Sequence, residues 1–364
     1  MHFAFAIVSL FPWGGLQRDC LRLARAVAAR GHEVTVLAGR VAGALPNDVA
    51  VEGLATSGWS NGARNQRFAE ALAKRRTSFD RVVGFDKLPG LDFLYCADPS
   101  VAARVTRLQR VLPRYRGLIR LEGACFGTQS RTQVLALAET QIAAYRAAWG
   151  TPPDRIVLLP PGVDPGRRQP ELRADGTRAR MRLALGLQHD TLLFLAIGGH
   201  ARVKGLDRAI DALAGNAAAQ LAIVGLSATD GRARGLMRRA SRLGVDRRVH
   251  WLGAREDVPE LMAASDILVH AARIDTTGTV ILEAIVNGLP VAATAACGFA
   301  SHVAGADAGI VLPEPFTPQA LDEALALGAD PARRRRWSVN AAAYGADPQL
   351  YRGIQKAAEI LAWG

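Results

Sequence analysis

Two acids late in the chain, Asp275 and Glu283, stand with seven residues between them inside the stretch R-I-D-T-T-G-T-V-I-L-E-A-I-V-N-G-L-P. Residues 266–270, D-I-L-V-H, read as a buried strand ahead of this stretch, and Val280, Ile281, Ala284 and Ile285 give the apolar face of a following helix. The pattern is therefore strand, tight loop, helix start. Thr276 or Thr277 is expected to cap the helix, and Gly278 to let the backbone come close to a ligand. If the loop folds back over the helix N-terminus, both carboxylates face one ligand whose phosphates are met by free backbone N–H groups, which is what a sugar nucleotide requires. Taken alone, the two acids read equally well as a loop cap and a solvated helix residue.

A second constellation lies at G-G-H-A-R-V-K-G-L-D, residues 198–207. Gly198 and Gly199 free the backbone, Lys204 is a mobile point charge at the start of a helical pattern, and Arg202 is a second cation beside it. Residues 253–258, G-A-R-E-D-V, follow another strand at the same edge. Around Arg255 this loop can hold a nucleobase or be a plain connection. Near the N-terminus, F-P-W-G-G-L-Q-R-D places Gly14 and Gly15 between a strand and a helix, with Asp19 just beyond. This is not G-x-G-x-x-G, and no acid ends the second strand, so a nicotinamide-binding fingerprint is absent. A paired glycine there suits backbone approach to phosphate or sugar, and equally a simple turn.

The elements that must position these residues follow an alternating rhythm. Strands are expected at 3–10, 33–38, 81–85 and 155–159, with a helix at 16–30 stopped by Gly31. After the polar stretch 167–180 the rhythm restarts, with strands at 192–197, 220–224, 248–252, 266–270 and 291–294. We therefore expect an α/β chain of two doubly wound domains facing a central cleft, with ligands at the carboxyl ends of the strands. The domains are set at residues 1–163 and 164–346, with a final helix at 347–364 packing back on the first.

Between the third strand and the domain boundary runs the most basic stretch: Arg104, Arg107, Arg110, Arg114, Arg116 and Arg120, interleaved with Val105, Leu108, Val111, Leu112, Tyr115, Leu118 and Ile119. Arg104, Arg107 and Arg110 are expected on one helical face, interrupted by Pro113. Such a stretch suits an anionic bilayer surface or a phosphorylated acceptor; a solvated arginine face is the alternative. The formal charge of +12 over 364 residues also points to an acidic partner. Nucleic acid is disfavoured by the lack of a binding motif and by few aromatics. Cys20, Cys96, Cys125 and Cys297 form no C-x-x-C pair, which argues for reduced thiols and against zinc. The N-terminus lacks the basic region and cleavage site of a signal peptide, and no apolar run reaches the ~18 residues of a membrane span, so any membrane association is expected to be peripheral.

The order of these motifs is more specific than any one of them. A glycine pair after the first strand, P-P-G-V-D at 160–164, R-V-K-G at 202–205, and D-x7-E followed by G-L-P resemble the retaining glycosyltransferases of family 4, which have the GT-B fold. The resemblance is closer to the lipopolysaccharide core glucosyltransferases that act on inner-core heptose, through residues 11–19, R-V-V-G-F-D-K-L-P-G-L-D at 81–92, E-L-M-A-A-S-D at 260–266 and C-G-F-A at 297–300. It covers nearly the whole chain. What it implies is a UDP-sugar held mainly by the second domain: Lys204 and Arg202 at the diphosphate, Glu283 at the ribose, and Asp275 with Thr276, Thr277, Gly278 and Thr279 at the donor sugar. Gly14 and Gly15 would close over the phosphates, with Asp19 nearby as a further catalytic candidate. The arginine stretch matches the membrane-contacting region of that family. No metal or other cofactor is implied, and the location implied is the cytoplasmic face of the inner membrane. The family usually carries glutamate at Asp275 and R-K-G where this chain has R-V-K-G. A sugar-nucleotide epimerase of the same architecture, and a non-catalytic membrane-surface carbohydrate-binding protein, are the rival readings.

Overall fold

The computed structural model of the chain divides into two compact units, Met1–Gly162 with Tyr351–Gly364, and Val163–Leu350. It describes all residues except Trp13, Leu45, Pro46, Ala55, residues 57–60, Gly364 and the side chain of Asn61. Trp13, part of the loop quoted above, thus lies outside the described residues.

The first unit runs β1 (His2–Leu10), α1 (Gly15–Ala28), β2 (Glu33–Val41), β3 (Ala50–Gly53), α2 (Asn61–Arg75), β4 (Arg81–Gly84), β5 (Phe93–Cys96), α3 (Arg107–Arg110), α4 (Pro113–Phe126), β6 (Gln133–Ala136), α5 (Glu139–Trp149) and β7 (Ile156–Leu158). Its strands form one parallel sheet in the order β3-β2-β1-β4-β5-β6-β7. Strand β1 is buried on both faces, so its sequence is apolar throughout. Phe3, Phe5 and Ile7 pack with Leu23 and Val27 of α1 and with Ile354, Ala358 and Leu361 of the last helix, Gly353–Trp363. Ala4 and Ala6 face Phe68 and Leu72 of α2, Phe126 of α4 and Tyr145 of α5. Each large side chain buried this way contributes roughly 1.5–3 kcal/mol. Only glycine fits at 353, where a Cβ would lie 2.5 Å from the Pro160 carbonyl oxygen, and its N–H donates to the Pro161 carbonyl at 2.8 Å. That contact pins the last helix to the Pro160-Pro161-Gly162 turn.

Residues 81–84 form the fourth strand and not the third. Strand β3 is an exposed edge, A-V-E-G, with no apolar run to mark it, and β5 and β6 are only four residues each. The basic stretch also differs from expectation. Arg104 lies in a turn ahead of α3, because Thr106 caps that helix in a box with Gln109 and so starts it too late to include Arg104. Pro113 opens α4 at its first position, where its missing N–H costs nothing. The six arginines therefore lie on a turn and two short helices, and all are exposed.

The second unit runs α6 (Thr177–Ala184), β8 (Leu192–Ile197), α7 (Leu206–Gly215), β9 (Ala219–Val224), α8 (Arg234–Arg242), β10 (Val249–Gly253), α9 (Val258–Ala264), β11 (Ile267–His270), α10 (Thr279–Val286), β12 (Val291–Thr294), α11 (Ala300–Gly305), β13 (Gly309–Leu312), α12 (Pro318–Ala329) and α13 (Pro331–Tyr344). The parallel sheet has the order β10-β9-β8-β11-β12-β13. In each unit the first strand lies inside the sheet, with its successors on opposite sides, so β1/β4 and β8/β11 are switch points where ligands bind in doubly wound sheets. Five strands of this unit fall within a residue of the expected bounds; β13 was not anticipated.

Asp266, just before β11, is a buried carboxylate that accepts from the Leu193 N–H at 2.8 Å and from Arg178 at 2.7 Å, with Arg182 at 3.4 Å. It ties α6 to the starts of the two central strands, β8 and β11. Asp266→Ala strands two guanidinium groups, and we expect a loss of about 3–5 kcal/mol in the stability of the second unit, seen as a lower denaturant midpoint in equilibrium unfolding.

Candidate active site

Lys204 and Asp275 meet at the β8/β11 switch point. Lys204 lies in the turn between β8 and α7, and its ammonium donates to Asp275 Oδ2 at 2.6 Å. Gly198 is required below it, because a Cβ there would sit 2.7 Å from Lys204 Cγ. Gly205, the N-cap of α7 at φ +67°, lets the turn come against β11, since a Cβ would fall 1.9 Å from the Ala271 carbonyl oxygen. Both glycines are thus steric conditions for the lysine's position. Arg202 is exposed in the same turn, and its carbonyl accepts from Arg273, which is also paired with Asp207 at 2.7 and 2.8 Å.

Asp275 has a second partner that the sequence reading did not single out. His270, the last residue of β11, lies with Nε2 2.8 Å from the same Oδ2. A carboxylate only accepts, so this ring nitrogen carries the proton and donates. Burial works to raise the Asp275 carboxyl, but the His270 hydrogen bond and the Lys204 charge outweigh it and hold the group well below the usual carboxylate range. Asp275 is therefore a fixed negative charge. The signal for His270 was a histidine closing an otherwise apolar strand.

The loop from Asp275 to Gly278 is held against residues 296–299: Gly298 N–H donates to the Asp275 carbonyl at 3.0 Å and Phe299 N–H to the Thr277 carbonyl at 2.7 Å. Burial pushes the adjacent Cys297 thiol up to about 12, and all four cysteines are buried and unpaired. The expected cap by Thr276 or Thr277 is not formed. Helix α10 begins at Thr279, after Gly278 in the left-handed conformation at φ +71°, and no side chain caps it. Thr277 instead shares a contact with Thr279 at 3.2 Å between hydroxyls. Thr276 is buried, and its hydroxyl oxygen has no hydrogen-bond partner. Such orphans are rare and costly, and here the orphan sits beside uncapped helix amides.

Glu283 lies inside α10, its side chain 9% exposed, with Oε1 3.0 Å from Arg167 Nε. Arg167 was missed by sequence reasoning, because nothing local relates it to a residue more than a hundred positions away. Asn287 fixes the register between them: it donates to the Arg167 and Glu283 carbonyls at 2.8 and 2.7 Å and accepts from the Gln169 N–H at 2.7 Å. Asp275 and Glu283 thus have separate cationic partners. Arg255, after β10, is paired with Asp257 at 2.7 Å in an exposed loop.

In the first unit Gly14 precedes α1 in extended conformation, and Gly15 opens the helix with nothing within 4 Å of where a side chain would begin. No side chain caps the first N–H groups of α1. Asp19 lies one turn further on, accepting from the Tyr95 hydroxyl at 3.1 Å and 3.5 Å from Arg22, whose guanidinium donates to the Gly162 carbonyl at 2.8 Å. Among the described residues no group of three or more His, Cys, Asp or Glu side chains is gathered as a metal cluster.

Parallel sheets whose switch points carry a glycine turn, a lysine and uncapped helix amides are built for phosphate-bearing donors. Residues 177–344 match the model of the glycosyl transferases group 1, and residues 13–167 that of glycosyltransferase family 4. The chain belongs to these glycosyltransferases and has their GT-B fold. It is similar over its whole length to the lipopolysaccharide glucosyltransferase WaaG of Escherichia coli K12, with 37% identity covering 100% of this chain and 99% of that one. The crystal structure of WaaG, a glycosyltransferase involved in lipopolysaccharide biosynthesis, superposes with a TM-score of 0.94 at 36% identity, covering 100% of both chains. Anabaena HepE, solved with UDP and glucose, shares the fold at a TM-score of 0.77 and 20% identity, covering 100% of this chain and 99% of its own.

Thr276→Val tests the orphan hydroxyl. Because the replacement is nearly isosteric and removes an unsatisfied buried group, unfolding stability should be unchanged or higher by up to about 1 kcal/mol, while calorimetric affinity for a UDP-hexose should fall roughly tenfold.

Proposed function

We propose that the chain transfers a hexosyl group, glucose by default, from a UDP-sugar to a heptose of the lipopolysaccharide inner core, with retention at the anomeric carbon. The observation that carries the reading is the Lys204 ammonium, held by Asp275 through one of its three N–H donors. The remaining donors serve a diphosphate, with Arg202 as a second cation. The amides of Thr277, Gly278 and Thr279 and the Thr276 hydroxyl take the donor sugar, Glu283 takes the ribose with Arg167 holding it, and the loop at Arg255 borders the base. In the first unit, Gly14 and Gly15 leave the start of α1 without a side-chain cap, which suits an anionic group, and Asp19 supports that turn through Tyr95 and Arg22.

The catalytic term is electrostatic. Lys204 and the helix amides are fixed before reaction where charge develops on the leaving diphosphate, so no reorganisation is needed as the glycosidic bond breaks and no metal is asked for. The acceptor hydroxyl attacks on the leaving-group face through an oxocarbenium-like state, and the departing phosphate takes its proton. Asp275 positions Lys204 and the sugar; it is not required as a nucleophile.

The acceptor assignment is supported by the full-length likeness to WaaG. Peripheral attachment to the anionic cytoplasmic face of the inner membrane is supported by the six exposed arginines 104–120 together with Leu108, Val111 and Leu112, which are 83%, 69% and 49% exposed. Among the described residues no helix is long and apolar enough to cross a membrane.

Incubation with a panel of UDP-sugars and truncated lipopolysaccharide, read by mass, should show addition of one hexose. Conversion of a UDP-sugar without acceptor would favour an epimerase, and liposome binding without UDP-sugar affinity a non-catalytic surface protein. Lys204→Ala and Glu283→Ala should each lower kcat/KM at least a hundredfold, or about 2.7 kcal/mol, in folded protein; near-normal turnover in both refutes the assignments. Replacing Arg114, Arg116 and Arg120 together with glutamine should weaken binding to phosphatidylserine-containing vesicles by about 3 kcal/mol, at roughly 1 kcal/mol per basic residue, in a sedimentation assay.

A further inference from the structure

Helix α8, R-G-L-M-R-R-A-S-R, turns Leu236 and Ala240 into the core of the second unit, together with Ala233 just before it. Arg234, Arg238 and Arg242 stand four residues apart on the opposite face, and all three are exposed. At 1.5 Å per residue they form a row about 12 Å long. We infer that this row is a contact of the second unit for an anionic bilayer surface, additional to residues 104–120 of the first unit. The inference rests on the membrane attachment proposed above only for its choice of partner.

The row carries charge that the fold does not use. The neighbouring arginines have acids of their own: Arg239 donates to Asp211 Oδ2 at 2.6 Å, and Arg232, ahead of the helix, to Asp230 Oδ2 at 3.0 Å. Among the described residues no carboxylate lies within ion-pair distance of Arg234, Arg238 or Arg242; Arg242 Nε reaches only the Arg238 carbonyl, at 3.4 Å. Like charges four residues apart repel along a helix, and this row holds two such pairs. Arg234 also opens the helix, where the dipole disfavours a cation and the first turn has no acid to offset it. The row therefore opposes folding at three points. A negatively charged surface reverses the sign of each.

A bilayer surface fits this row better than a small anion or a nucleic acid. Guanidinium groups set one helical turn apart suit separate headgroups rather than a single ligand. The helix has no aromatic side chain on which a base could stack, and the chain carries no nucleic-acid-binding motif. The apolar face of α8 is already buried in the core, so the helix cannot insert and the contact is electrostatic alone. The first unit differs, because exposed Leu108, Val111 and Leu112 stand among its arginines. A contact without apolar insertion has its own signature: salt abolishes it.

The test uses the full chain with Arg234, Arg238 and Arg242 replaced together by glutamine. A control with Arg180, Arg335 and Arg336 replaced by glutamine removes the same charge from exposed positions on α6 and α13. The α8 variant should unfold at the wild-type temperature or above it, since two repulsive pairs are gone. Sedimentation at low salt with vesicles of phosphatidylglycerol and phosphatidylcholine should show its partitioning reduced at least tenfold, at roughly fivefold per basic residue, with the control within about threefold of wild type. In about 0.5 M salt the difference between the α8 variant and wild type should vanish. Wild-type partitioning of the α8 variant overturns the contact. An equal loss in the control also overturns it, since net charge alone would then be read. Intact vesicle binding with lost binding to a duplex oligonucleotide overturns it in favour of nucleic acid. The comparison is repeated with Arg114, Arg116 and Arg120 replaced by glutamine. If that background binds vesicles as wild type does, attachment through the first unit fails, and the α8 comparison within it still decides the contact of the second.

Discussion

The second unit depends on one carboxylate being charged in a place that resists charge. Asp275 is nearly buried, and a lone anion there would take up a proton before accepting desolvation. His270 and Lys204 prevent that, one from the end of β11 and the other from the turn after β8. Two adjacent strands are thereby tied across the switch point by a single oxygen. The same oxygen sets where the lysine charge stands, so the position of this cation follows from an interaction that also joins β8 to β11.

That arrangement explains the glycines better than flexibility does. Gly198 makes room for the lysine stem, and Gly205 lets the turn touch the Ala271 carbonyl. Gly278 turns the chain left-handed so that α10 begins only after the loop has been tied to residues 297–299. An uncapped helix start costs stability unless something else meets its amides. A threonine at the cap, which the sequence suggested, would have satisfied those amides internally. Their being left open is the feature that makes the loop suited to an anion.

Much of the fold was legible because both sheets are parallel and covered on both faces, so β1, β8, β9 and β11 appear as plain apolar runs. The strands that escaped notice, β3, β5, β6 and β13, are four residues each, no shorter than β4, β11 and β12, which were anticipated; β3 is an exposed edge whose A-V-E-G carries no apolar run. At the candidate site, Lys204 and Asp275 stood out beside glycine turns and Glu283 only by its spacing from Asp275 inside a helix, and the roles proposed for them come from the likeness to a family. Arg167 was not visible. Its relation to Glu283 exists only because Asn287 locks two distant segments together, and no periodicity or spacing carries that. The helical face imagined for Arg104, Arg107 and Arg110 failed for a local reason: the Thr106 capping box decided where α3 starts.

The buried polar groups of this chain fall into two kinds, and the distinction bears on function. Asp266 and Glu122 have several donors each, from backbone, arginine, lysine or indole, and nothing about them invites a ligand. Such saturated carboxylates fasten elements together: α6 to the sheet in one unit, α4 to the 98–102 loop in the other. Thr276 Oγ1 is the opposite, buried with no partner, while the half-buried Lys204 spends one of its three donors on Asp275. Leaving a buried group short of partners costs about 1–3 kcal/mol, and folding alone gives no return on it. These groups stand at the carboxyl ends of the central strands, where doubly wound sheets take their ligands, and each is braced by a saturated neighbour or a steric glycine. Unsatisfied polarity on a rigid support is what a binding site looks like before its ligand arrives.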